Sequence, residues 1–134
     1  MRNGLLLVAI AASLLGCGTR TSYTQLNPSP VPMHERDPST VEVFSAGKPE
    51  RPYVEVGIIE AQQRSGFSSD DMPEIVAEMR ERAAAQGCDG MIIVSNNDTV
   101  VGATVSGDGS TDTLKGFRGA CIMYRSAAPA ANAR

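Results

Sequence analysis

The sequence predicts an α+β fold: one helix packed on a small, mostly antiparallel sheet, in the order β-β-α-β-β-β. Three observations carry that expectation. Only one stretch, Met72–Gln86, repeats apolar residues at helical spacing. Five other stretches alternate, or run apolar over strand lengths. One helix can cover only one face of a sheet, so a two-layer sandwich is the simplest solution.

The first strand is Val41–Phe44, a short alternating run, followed by a loop over Ala46–Pro52 that contains Gly47, Pro49 and Pro52. Tyr53–Glu60 alternates most clearly. Strict alternation puts Val54, Val56 and Ile58 on one face and Glu55, Gly57 and Ile59 on the other. Ser65–Asp71 is a polar connection. The helix follows, with Asp71 as N-cap, Glu74 completing a capping box and Pro73 tolerated in the first turn. Met72, Ile75, Val76, Met79 and Ala83 share one face, and Gly87 ends the helix as a left-handed cap.

Met91–Ser95 is a continuous apolar run, the pattern of a strand covered on both faces. Asn96-Asn97-Asp98 reads as a turn and Thr99–Val105 as another strand. Ser106–Thr113, with Gly107 and Gly109, reads as a flexible excursion, and Phe117–Tyr124 as the last strand. The Ala-rich tail over 127–134 has no reason to be ordered. This places the domain at residues 39–126, enough to bury about 60–65% of its unfolded surface, a marginal core. With 42% hydrophobic but only 4% aromatic residues, that core must be built from Val, Ile, Met and Ala.

The N-terminal residues 1–16 have the layout of a signal peptide. Arg2 precedes an apolar run from Leu5 to Leu15, 11 residues long. As a helix it rises about 16 Å, short of the roughly 30 Å a membrane span requires. The run ends in Leu14-Leu15-Gly16-Cys17, which resembles the lipobox of bacterial lipoproteins. That resemblance implies a diacylglyceryl group on the Cys17 thiol, cleavage before Cys17, and N-acylation of the new amine, so the partner of Cys17 is the lipid bilayer. Three acyl chains exceed the two needed for stable anchoring. Gly18 in place of Asp after the cysteine implies outer-membrane localisation in a Gram-negative cell, facing the periplasm or the surface.

Cleavage leaves 118 residues with 11 basic against 15 acidic side chains, a net charge of −4, which offers no basic footprint for nucleic acid. Residues 17–38, the lipidated cysteine and a segment with Pro28, Pro30, Pro32 and Pro38, show no apolar periodicity. They read as a disordered tether, spanning roughly 25 Å if flexible and about 70 Å fully extended. His34 sits within it and reads as a solvated linker residue.

From Pro52 onward the pattern PYVEVGIIE, then MRERAAAQGCDGMIIV, then GACIMYR resembles small bacterial envelope lipoproteins of the Rcs stress-sensor type. It is also similar in its β-α-β layout to proteins labelled heavy-metal-binding domains. The matching positions are Gly57, Arg80, Ala83, Ala84, Gly87, Asp89 and Met91–Val94. The resemblance implies a fold and an envelope compartment. The Rcs type carries four domain cysteines in two disulfides; here Cys88 and Cys121 allow at most one.

With Cys17 lipidated, Cys88 and Cys121 are candidates for one disulfide, or for two separate buried thiols used as small apolar side chains. Two thiolates fall short of the four ligands of a structural zinc, and Asp108, Ser110 and Asp112 lack the glycine and terminal glutamate of a calcium loop. No metal or cofactor is expected beyond the lipid. The carboxylates Glu55, Glu60, Asp89 and Asp98 are scattered, no Gly-x-Ser-x-Gly, Walker or His-Glu motif is present, and Ser65-Gly66-Phe67-Ser68 matches none, so an enzyme is not expected. The sequence points to an anchored, non-enzymatic domain that binds another envelope protein or serves a structural role. The alternative is a redox or metal-responsive sensor using Cys88 and Cys121.

Overall fold

The computed structural model describes residues 18–64, 71–103 and 111–125. Residues 1–17, expected as a signal peptide and a lipidated cysteine, and the Ala-rich tail lie outside the described residues. Within them the α+β expectation holds. Five strands form one sheet in the order β1-β3-β7-β4-β2, where β1 is Thr19–Gln25, β2 Glu42–Phe44, β3 Tyr53–Gln63, β4 Gly90–Asn96 and β7 Gly116–Tyr124. All neighbours are antiparallel except β2 and β4, which run parallel. The helix α1, Met72–Gln86, packs across one face.

The segment expected as a tether is instead part of the fold. β1 pairs along β3 from Thr19 opposite Gln63 to Gln25 opposite Gly57. Thr19, Thr21 and Tyr23 are half-buried while Arg20, Ser22 and Thr24 are exposed, so the strand does alternate. Two of its three inward residues are threonines, which favour strands but carry no apolar signal. The prolines that follow do not make a leash either. Met33 packs on the core, the Arg36 N–H donates to the Ala84 carbonyl at 3.1 Å, and Pro38–Thr40 makes a 3-10 turn capped by Asp37. The fold therefore includes residues 19–40 and does not start at residue 39.

Strict alternation also fails in β3. Glu55 faces Ile122 and Gly57 faces Cys121, so Val56 is an extra residue, a β-bulge that resets the parity of the strand. Val56 and Ile59, expected on opposite faces, both enter the main core, and Ile58 is only half-buried. The Val56 carbonyl accepts the N–H groups of Leu26 and Asn27, which closes the end of β1 over the bulge.

The helix forms as the spacing predicts. The Glu74 carboxylate accepts the Asp71 N–H at 3.0 Å, and Gly87 takes φ 84° at the C-terminus. Ile75, Met79, Ala83 and Ala84 are buried against Val56, Ile59, Ala61, Met91, Phe117, Cys121 and Met123. Met72, expected on the buried face, is instead 49% exposed. Gly119 lies beneath the methionines: a Cβ there would meet Met91 Cγ at 2.9 Å and Met79 Cε at 3.0 Å.

The opposite face holds a smaller apolar cluster of Ile92, Ala120, Ile122 and Tyr124, with Phe44 and Tyr53 packed against it. Arg51 from the β2–β3 loop lies over the Tyr124 ring at 3.7 Å. Cover does not extend to the far part of β4, where Val94 is 61% exposed; β2 is three residues long and flanks only Gly90–Ile92.

The last expected differences concern the excursion. Part of the stretch read as flexible, Thr111–Leu114, is a strand (β6), which pairs with Thr99–Ala103 (β5) in a separate two-stranded antiparallel sheet. β5 therefore leaves the main sheet.

Candidate functional site

Cys88 follows the helix cap and Cys121 lies in the central strand β7, opposite Met91. The short link after Gly87 brings them together as a disulfide, with S–S 2.04 Å and Cα atoms 5.7 Å apart. Of the two readings left open by the sequence, the bridge is the one formed. Both cysteines are 0% exposed. The bond ties the helix C-terminus to the middle of the sheet.

Asp89, next in the chain, organises the polar groups at this end of the domain. One carboxylate oxygen accepts from Arg36 Nη2 at 2.7 Å, and the other accepts the Tyr124 N–H at 2.8 Å. Its own N–H donates to the Ile122 carbonyl, and its carbonyl accepts the Glu42 N–H. All four polar groups are used, so Asp89 is a junction between the Pro-rich segment, β2 and β7.

The Tyr124 hydroxyl donates to Glu42 Oε2 at 2.8 Å, with Arg51 stacked on the ring and 4.0 Å from the other Glu42 oxygen. Burial, and then the Glu42 carboxylate, push the Tyr124 pKa up to about 12. The phenol is therefore a hydrogen-bond donor at physiological pH and neither a base nor a nucleophile. Glu42, Tyr124, Asp89, Arg36 and Arg51 form a polar clamp beside the smaller apolar cluster; within the clamp, Arg36 Nε is buried without a hydrogen-bond partner among the described residues.

The structure does not converge the carboxylates singled out in the sequence. Glu60 pairs with Arg118 at 2.6 Å across β3 and β7. Asp98 accepts the Gly116 N–H at 3.0 Å in the turn after β4. Glu55 is exposed at the bulge and Asp89 is in the clamp. The His34 side chain is exposed, but its backbone presses on Gly87, where a Cβ would lie 2.5 Å from the His34 carbonyl oxygen. Ser65–Ser68 and Asp108–Ser110 lie outside the described residues. Among the described residues no three His, Cys, Asp or Glu side chains gather where they could hold a metal ion.

Two hollows were not legible in the sequence. A groove of about 480 Å³ runs between α1 and the β2 flank, lined by Pro38, Val43, Pro73, Val76, Ala77 and Arg80. A second hollow of about 360 Å³ lies on the opposite side of the sheet, beside Gly47, Lys48, Glu55, Ile92 and Val94. The second hollow includes the stretch of β4, Ile93 and Val94, that β2 is too short to cover. No described helix is long and apolar enough to cross a membrane.

No family model matches the chain, and no curated protein matches it. Among solved structures, the crystal structure of a Francisella virulence factor, FvfA, aligns at 16% identity with a TM-score of 0.43. The alignment covers 75% of this chain and 96% of that one.

Proposed function

We propose that the chain is a lipoprotein of the bacterial envelope, anchored through Cys17, whose domain is a non-enzymatic binding or structural module. The observation that carries this reading is the buried Cys88–Cys121 disulfide. Such bonds persist in oxidising compartments, which is where a signal peptide with a lipobox would deliver the chain. The clamp adds support: its carboxylates and its phenol are engaged with one another and with backbone, so they hold the fold rather than stand ready for acid–base work.

Burial of both sulfurs favours a stapling role over the redox or metal-responsive alternative. Exchange requires an attacking thiolate to reach the bond, and bridged cysteines have no thiolate to offer a metal. The binding surface in this reading is the region of β4 around Val94, where one hollow and an exposed apolar side chain lie together.

The test is expression of the full chain in a Gram-negative host, followed by intact mass of the membrane fraction. The expected product begins at Cys17 and carries three acyl chains, and Cys17→Ser accumulates unprocessed. A soluble, unlipidated product from the wild-type gene would overturn the anchoring. Crosslinking in the intact envelope that retrieves no specific protein would overturn the binding role.

A further inference from the structure

We infer that one end of the sheet, marked by Gly18, Arg20, Arg64 and Lys115, rests on the phosphate headgroups of the bilayer that holds the anchor. The inference rests on lipidation of Cys17 and goes beyond it, because lipidation alone allows a domain held at a distance.

The first argument is chain length. Gly18 follows Cys17 directly, and its carbonyl already accepts the Arg64 N–H at 3.0 Å. Thr19 is paired with Gln63. One residue reaches at most about 3.6 Å, so a lipidated Cys17 leaves no spacer between the acyl chains and the sheet. The residues that would have made a spacer are used in β1 and in the crossing to β2.

The second argument is charge. The Gln63 N–H donates to the Lys115 carbonyl and the Lys115 N–H to the Gln63 side chain, both at 2.9 Å, so Gly18, Arg64 and Lys115 stand side by side at one end. Arg20 is one step along β1, opposite Gln62. All three cations are exposed. Among the described residues the carboxylates nearby are Asp71, 3.9 Å from Lys115, Asp98, held by the Gly116 amide, and Glu60, which shares a small pocket with Arg20 and is paired with a fourth cation, Arg118, at 2.6 Å. The end is thus positive while the chain as a whole is acidic, which suits a phosphate surface. The other end, with Asp89 and Tyr124, then stands about 30 Å from the membrane, the length of the nine residues of β7.

The chain contains no tryptophan, so a single introduced one reports alone. Asn96→Trp marks the Gly18 end and Arg125→Trp the far end; both positions are exposed. The full lipidated protein is reconstituted in vesicles of phosphatidylethanolamine and phosphatidylglycerol carrying a headgroup spin-labelled lipid. We expect Asn96→Trp to be quenched at least threefold more than Arg125→Trp. The triple variant Arg20→Glu, Arg64→Glu, Lys115→Glu should still sediment with the vesicles, keep its disulfide closed to alkylation, and lose at least half of that contrast. Equal quenching at both ends in sedimenting protein overturns the apposition while leaving the anchor intact. Undiminished contrast in the folded triple variant overturns the role of the cations. Protein that fails to sediment overturns the anchoring reading itself.

Discussion

The Arg36 guanidinium closes on the Asp89 carboxylate at 2.7 Å, joining the Pro-rich segment to the loop between helix and β4. Asp89 simultaneously holds the Tyr124 amide, so one carboxylate anchors two chain segments distant in sequence. Asp89→Ala should orphan both donors, at about 1–3 kcal/mol for the buried Tyr124 amide and less for Arg36, whose side chain is 32% exposed and can turn to water. Asp89→Asn, which keeps an acceptor, should lose less. Urea unfolding of the two variants checks the order.

A tether can be removed without harm to the domain it carries, whereas a strand cannot. Deleting residues 19–38 while keeping Cys17 and Gly18 should prevent folding, since β1 pairs with β3 from Gly57 to Gln63 and Tyr23 and Met33 pack on the core. Protease resistance of the lipidated product, compared with wild type, is the measurement. Full resistance in the deletion variant would return these residues to linker status.

The disulfide closes a loop with sequence separation 33, worth roughly 3–4 kcal/mol by chain entropy. Cys88→Ala with Cys121→Ala should lower Tm by roughly 12–30 °C, at about 4–8 °C per kcal/mol for a domain this size. Because both sulfurs are buried, a mild reductant should open the wild-type bond only as fast as the domain unfolds. Alkylation kinetics in native buffer and in denaturant separate the two cases.

Gly57 has no room for a side chain. A Cβ there would lie 2.5 Å from Tyr23 Cε2 and 2.7 Å from the Thr24 carbonyl oxygen. Gly57→Ala should cost about 1–3 kcal/mol by pushing β1 off the bulge. Tyr23→Ala should relieve only part of the clash, because the Thr24 backbone remains. A double-mutant cycle in thermal unfolding reads that residue of coupling.

Tyr124 gives the domain an alkaline limit. Its folded pKa, about 12, is above the unfolded value near 10. Between those values the unfolded chain releases a proton that the folded chain retains, so stability falls as pH rises through this window. Tyr124→Phe should flatten the fall between pH 10 and 12, and should lose some stability at neutral pH with the Glu42 hydrogen bond. Unfolding titrations from pH 7 to 12 test both parts.

Helix α1 and its Gly87 cap were legible in the sequence because their determinants are local: helical spacing of Ile75, Met79 and Ala83, Glu74 reaching back to Asp71, and a glycine where φ turns positive. Strand β7 was legible for a related reason, since, Arg118 apart, it is buried on both faces and apolar. The face of β3 was not, because the bulge at Val56 is decided by how β1 and β7 pair with it. β1 itself was hidden because Thr19 and Thr21, packed at a sheet edge, look the same in sequence as threonines in solvent.

The residues of the polar clamp were named in part. Asp89 appeared as a scattered carboxylate, while Arg36, Glu42 and Tyr124 were not singled out. Glu42 and Tyr124 are 82 positions apart, and no local spacing records their hydrogen bond. The sequence by itself determined the class of fold, the helix, and an N-terminal layout that resembles an export and lipidation signal, since each is set by short-range periodicity or a contiguous motif. Only the tertiary structure decided that Cys88 meets Cys121, that residues 19–40 belong to the fold, and that one end of the sheet is positive. Each of these depends on strand order and register, which are set by the summed packing of distant side chains and not by any segment alone.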